Sequence, residues 1–287
     1  MKNQQSLIFL VLGIAIAAVF ATITGIFSSG GPGIFEYESI RGQTILIYGE
    51  GLYKHMSAGV AIQGIAQDYV TLFAGIPILL ISLFYSIKGS IKARFILAGT
   101  LGYFFVTYLF YLVMGMYNYL FLVYAILLGA SFFALSFTLF SFDLDKISKS
   151  FSSNAPVNFA GGFLIFNAFA IGLLWLGIVI PPLLDGRIYP AEVEHYTTLI
   201  VQGLDLALLL PIAFYSGFQL IRKRPVGYLL TPVYLVFLSL MMTALVAKII
   251  YMGLDGLNII PVVFIIPVFA ITAIVLSILM LKELKFE

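Results

Sequence analysis

Eight long apolar stretches, at residues 7–27, 69–87, 95–116, 119–142, 159–180, 198–221, 226–252 and 259–281, constrain this chain more than any other feature. A helix needs about 20 apolar residues to cross the hydrocarbon core of a bilayer. Helices and closed barrels are the structures that satisfy a lipid-exposed backbone internally, and stretches of this length select helices. The expected fold is therefore all-α: one membrane domain over residues 1–287, a polytopic bundle of eight transmembrane helices. Composition agrees, because 62% of residues are hydrophobic and only 10% are charged, against about 25% charged in soluble domains. Residues 95–142 hold no charge and are too long for one span. Gly115 and Asn118, with Tyr117 and Tyr119 beside them, mark a tight interfacial turn there, since Tyr favours the membrane–water boundary.

The basic residues alternate with the spans. Lys2; Lys88, Lys92 and Arg94; Lys146 and Lys149; Arg222, Lys223 and Arg224; and Lys282 and Lys285 fall on one side. The other side holds only Arg41, Lys54 and Arg187, while Lys248 lies inside a span. The positive-inside rule then predicts cytoplasmic N- and C-termini in a plasma (inner) membrane. Glu36, Glu38, Glu50, Asp185, Glu192, Glu194 and Asp255 would make the outer face acidic. The uncharged run 7–27 exceeds the length of a signal-peptide core and reads as an uncleaved first span. Cysteine is absent, which excludes disulfides and thiolate chemistry. No basic patch interleaved with aromatics suggests nucleic acid.

Outside the spans, residues 28–67 form the one sizeable outer segment. Within it, 44–48 and 52–54 flank Gly49-Glu50-Gly51, a pattern that predicts a small β-hairpin. Gly30-Gly31-Pro32-Gly33 before it reads as a flexible link. Residues 142–158 predict a short amphipathic surface helix capped by Asp143.

Parallel halves, 1–142 and 159–287, are suggested by a recurring order of features: His55, Gln67, Asp68, Pro77, Tyr85-Ser86 and a basic loop, against His195, Gln202, Asp205, Pro211, Tyr215-Ser216 and a basic loop. Parallel repeats are a transporter arrangement. The spacings differ: Asp68 to Arg94 is 26 residues and Asp205 to Arg224 is 19, which places Asp205 about two turns deeper.

Asp205 and Lys248 are the charges well inside spans, and each costs about 2.5–3.5 kcal/mol at mid-membrane. Depth along the sixth and seventh spans puts both in the outer leaflet, where they can meet as an ion pair or line a ligand or ion pathway. Asp68 opens the second span at the same rim, and Gln67 and Gln202 accompany the aspartates. These five are the candidate ligand- or ion-binding residues. His55 and His195 with the two aspartates are a weaker metal-site candidate, lacking the spacing of a zinc motif. No catalytic residue and no cofactor is indicated. The aromatic run Tyr103 to Tyr111 in the third span reads as lipid-facing packing. Pro77 and Pro211 interrupt the aspartate-bearing helices, where freed carbonyls can face a cavity.

Gly42-Gln43-Thr44, Tyr48-Gly49, Gly51-Leu52-Tyr53, Asp68, Thr71-Leu72, Gly75 and Pro77 form one block; Tyr196-Thr197-Thr198, Gln202, Asp205, Arg224-Pro225 and Gly227-Tyr228 form another. Together they resemble a family of prokaryotic polytopic integral membrane proteins of similar length with no assigned activity. The resemblance implies the fold class and carries over no functional residue. The function expected from the residues is binding or transport of a small solute or ion through an outward-facing polar pocket between the second, sixth and seventh spans. The alternatives are a non-transporting sensor or scaffold, and a membrane-embedded enzyme acting on a lipid headgroup. The lipid bilayer is the one partner the sequence demands.

Overall fold

The computed structural model describes residues 4–256 and 258–285; Lys2 lies outside the described residues. The elements are α1 (Gln4–Phe27), β1 (Phe35–Glu38), β2 (Thr44–Ile47), α2 (Ala58–Ile87), α3 (Ile91–Val113), α4 (Phe121–Phe140), α5 (Leu144–Ser150), α6 (Val157–Leu184), α7 (Ile200–Ile221), α8 (Pro225–Leu254) and α9 (Val262–Lys282). All helices but α5 are long and apolar enough to cross a membrane. The short α5 is the expected surface helix, with the Asp143 side chain accepting from the amides of Asp145 and Lys146. The largest departure from the sequence reading is in α2, which starts eleven residues earlier than hydropathy suggests. Gln63 and Gln67 lower the local hydropathy, yet Ala61, Ile62, Gly64 and Ala66 are buried and hold the helix against its neighbours.

Connections sort into two ends. At one, Arg94 reaches the Ser141 carbonyl, Lys92 that of Lys282, and Phe151 bridges to Leu284. This end gathers the basic residues. At the other, Arg41 donates to the carbonyls of Glu194 and Thr197, and Tyr189 to that of Arg41, fastening the β-hairpin to the loop between α6 and α7.

The hairpin itself is shifted from the sequence expectation. Its strands are β1 and β2, paired antiparallel with Phe35 opposite Ile47, so residues 39–43 make the turn. Gly49 and Gly51 do adopt positive φ, but they turn the chain onto the 30–33 link. Gly33 donates to the Gly49 carbonyl and Gly51 to that of Gly30. A Cβ at Gly49 would collide with the Gly33 carbonyl. The link expected to be flexible is thus pinned.

Each half packs as a four-helix group. In the first, α1, α2, α3 and α4 pack in sequence and α4 returns to α1; in the second, α6, α7, α8 and α9 follow the same order. The halves meet where α3 crosses α8, with Gly99 against Val233 and Val236. Because α3 touches α2, α4 and α8, its aromatic side chains fill the core. Tyr103, Phe104 and Tyr108 are fully buried, which overturns the lipid-facing reading.

Both α2 and α7 widen into a π turn, at Thr71–Gly75 and Asp205–Leu209. Proline explains both. Pro77 and Pro211 have no amide hydrogen, and their rings would strike the carbonyl four residues back, inside the wide turn. The two π turns lie 134 residues apart. The same interval relates Pro77 to Pro211, the helix ends Ile87 and Ile221, the positive-φ residues Gly89 and Lys223, and the starts Ile91 and Pro225. In this register Asp205 matches Thr71, and Asp68 lies three residues ahead of its π turn. The depth difference is therefore about one turn, not two.

Candidate functional site

The two four-helix groups differ in one packing contact. Helix α2 packs along α8 at the hairpin end, whereas its counterpart α7 barely touches α3. The space left is a cavity of about 260 Å³. It reaches the hairpin end at Met56, Gly115 and Asn118 and stops near mid-depth at Asn167, Leu210 and Phe237. Beyond that floor, Leu79, Leu97, Leu101 and Leu235 are fully buried and the bundle is closed toward the basic end. The wall is mainly Met, Leu, Phe and Tyr, so the polar pocket expected from sequence is an apolar one with a few placed charges.

Lys248 and Asp205 stand on that wall, from neighbouring helices α8 and α7. They do not pair. Among the described residues no carboxylate comes within ion-pair distance of Lys248 Nζ. Among the same residues the ammonium has no hydrogen-bond partner, and the residue is half-buried on the cavity wall. It lies in electrostatic reach of both Asp205 and Asp68. Asp205 opens the π turn of α7, and its Oδ2 accepts from Trp175 Nε1 on α6 at 2.7 Å. Its Oδ1 has no partner among the described residues, and the residue is likewise half-buried on the wall. A little deeper, Tyr234 on α8 donates to the Leu209 carbonyl at the end of the same π turn.

Asp68 is ten residues into α2 rather than at its start, and it is 1% exposed, behind the cavity wall. Tyr53 Oη donates to its Oδ2 at 2.5 Å, and Tyr111 Oη lies 3.0 Å from its Oδ1. Tyr53 sits in the turn before α2. Burial, then the Asp68 charge, pushes its phenol well above the usual tyrosine value, so it keeps its proton and donates. Gly25 on α1 makes the room, because a Cβ there would run into the Asp68 carboxylate. Tyr111 Oη is equally close to the Gly64 carbonyl, at 3.0 Å, so its one proton is shared between the two acceptors and Tyr53 is the dedicated donor to this buried carboxyl group.

Gln67 ties α2 to α3: its Nε2 donates to Tyr103 Oη at 2.8 Å and to Thr107 Oγ1 at 3.2 Å, while Oε1 is buried without a partner among the described residues. Gln67 lines the cavity and Gln202 does not. The two histidines come together without assembling a metal set. His195 Nε2 contacts the His55 carbonyl at 3.0 Å, and the described residues hold no cluster of three potential metal ligands. Sequence reasoning missed Trp175, and it missed the parts played by Tyr53 and Tyr111. For Trp175 a signal existed: it is the single tryptophan, nine residues inside the end of α6, away from the interfacial belt where Trp collects. Tyr53 carried none, since it is one of 17 tyrosines and its partner is fifteen residues away.

No family model, curated protein or solved structure matches this sequence.

Proposed function

We infer that this membrane protein binds a small solute in the cavity between α2, α3, α6, α7 and α8, as the outward-facing stage of a transport cycle. The observation that carries the reading is the Lys248 ammonium, unpaired among the described residues and half-buried on the wall of a mainly apolar cavity. Intramembrane charges are costly and are retained for ligands, ions or each other, and here the partner carboxylate stands off. The placement of the basic end in the cytoplasm, with the termini, follows from the positive-inside rule and makes the hairpin end the entrance. The closed floor supports a cycle in which access alternates.

Two measurements test this reading. A structural pair predicts that Lys248→Met strands Asp205 and costs about 3–5 kcal/mol. Ligand duty predicts that the variant melts in detergent at or above the wild-type temperature, because an uncompensated ammonium is removed from an apolar wall. Independently, Met241→Cys in this cysteine-free chain should react with a polar thiol reagent added at the hairpin face. A destabilised Lys248→Met variant together with an unreactive Met241→Cys variant would end the proposal.

A further inference from the structure

We propose that the ligand is a small zwitterion with an apolar body, of which an apolar α-amino acid is the simplest member. This rests on the binding reading above and adds the chemistry of the ligand.

Three ionisable groups lie in or just behind the cavity wall, and their partners differ. Asp68 is 1% exposed behind the wall, with Tyr53 donating to one oxygen and Tyr111 beside the other. Among the described residues Lys248 Nζ has no partner, and Asp205 has one oxygen held by Trp175 and one free. The site therefore offers one cation and one carboxylate oxygen without partners among the described residues, on adjacent helices, within electrostatic reach of each other and with no ion pair between them. A carboxylate answers the first and an ammonium the second, and an α-amino acid carries both on one carbon. A simple cation would meet the Lys248 charge, and a simple anion would desolvate Asp205 without compensating it. Trp175 fixes the carboxylate of Asp205 so that its free oxygen is aimed without further ordering cost.

The rest of the wall selects the body of the ligand. Phe110, Met114, Met241, Met242 and Leu245 present apolar and adaptable surface. An apolar cavity of about 150 Å³ accommodates benzene. The 260 Å³ available here suits about ten non-hydrogen atoms on that scale, the size class of leucine, methionine and phenylalanine.

The test uses the full-length protein purified in detergent. Equilibrium binding of radiolabelled L-leucine, L-methionine and L-phenylalanine should be saturable for at least one of them. Two analogues of leucine then dissect the charges: 4-methylpentanoate lacks the amino group and 3-methylbutylamine lacks the carboxylate. Each should compete at least about tenfold more weakly than leucine, the loss expected when one member of a desolvated charge pair is absent. Lys248→Met should weaken zwitterion binding about thirtyfold or more, while Lys248→Arg retains it. Asp205→Asn should weaken leucine and strengthen 4-methylpentanoate, an inversion that general misfolding cannot produce. Binding of none of the three amino acids, or competition by 3-methylbutylamine equal to that of leucine, overturns the proposal. Acrylamide quenching of Trp175, the single tryptophan, separates the two levels of failure. Quenching without zwitterion binding leaves an open pocket with a different ligand class, whereas a shielded Trp175 removes the pocket reading as well.

Discussion

At the residue scale, the two aspartates show how one side chain acquires different duties from its neighbours. Asp68 is enclosed by the phenols of Tyr53 and Tyr111 and backed by Gly25, and at 1% exposed it is out of a ligand's reach. Asp205 lines the cavity, held at one oxygen and without a partner at the other among the described residues. The enclosed site is therefore a stability element, and it is sensitive to volume. Gly25→Ala should lower the detergent melting temperature by the equivalent of about 1–3 kcal/mol, the cost of overpacking. Tyr53→Phe, which removes a donor and leaves a buried acceptor unsatisfied, should cost a similar amount. A Gly25→Ala protein as stable as wild type would mean that Asp68 swings aside at little cost, and the enclosure would lose its structural role.

Among the elements, prolines and glycines decide the local geometry. Pro77 and Pro211 sit two residues past matching π turns, and the connections that follow are alike in length and in their positive-φ residue, Gly89 in one and Lys223 in the other. We propose that α1–α4 and α6–α9 are parallel repeats, related by an axis along the membrane normal where α3 crosses α8. The hairpin belongs to the first half alone. Its Gly30–Gly33 approach is hydrogen-bonded to Gly49 and Gly51, so the amides of Gly33 and Gly51 should resist hydrogen exchange as well as those of β2. Protection across 44–47 with rapid exchange at 33 and 51 would show that the approach opens independently of the sheet.

For the whole molecule, the decisive feature is an imperfect pairing of halves. Where α2 closes on α8, α7 leaves α3 uncovered, and the cavity occupies the difference. Movement of the hairpin-side part of α7 toward α3 would seal the cavity in the manner already seen on the α2 side. Orientation is tested directly, since the chain has no native cysteine. Ile40, 90% exposed at the tip of the hairpin, and Ser153, exposed at the basic end, are suitable positions for single cysteines. An impermeant thiol reagent applied to intact cells should modify Ile40→Cys and spare Ser153→Cys. The reverse pattern would invert the proposed topology and turn the cavity toward the cytoplasm.

Much of this protein is written in one-dimensional terms. Apolar length fixes the number of spans, because the bilayer sets a threshold that a stretch either meets or misses. The turn between α3 and α4, the cap at Asp143 and the interruptions at Pro77 and Pro211 are equally local, since each depends on residues within a turn or two. Asp205 and Lys248 stood out for the same reason, as charges in apolar runs. What tertiary structure decided is whether they meet. That depends on the rotation of α7 about its axis, on Trp175 reaching Asp205 from α6, and on a gap between α3 and α7 that no single helix encodes. Burial of α3's tyrosines and the start of α2 at Ala58 were hidden likewise. In a membrane, lipid and protein interior are both apolar, so hydropathy reports that a residue has left water and is silent on what it faces instead.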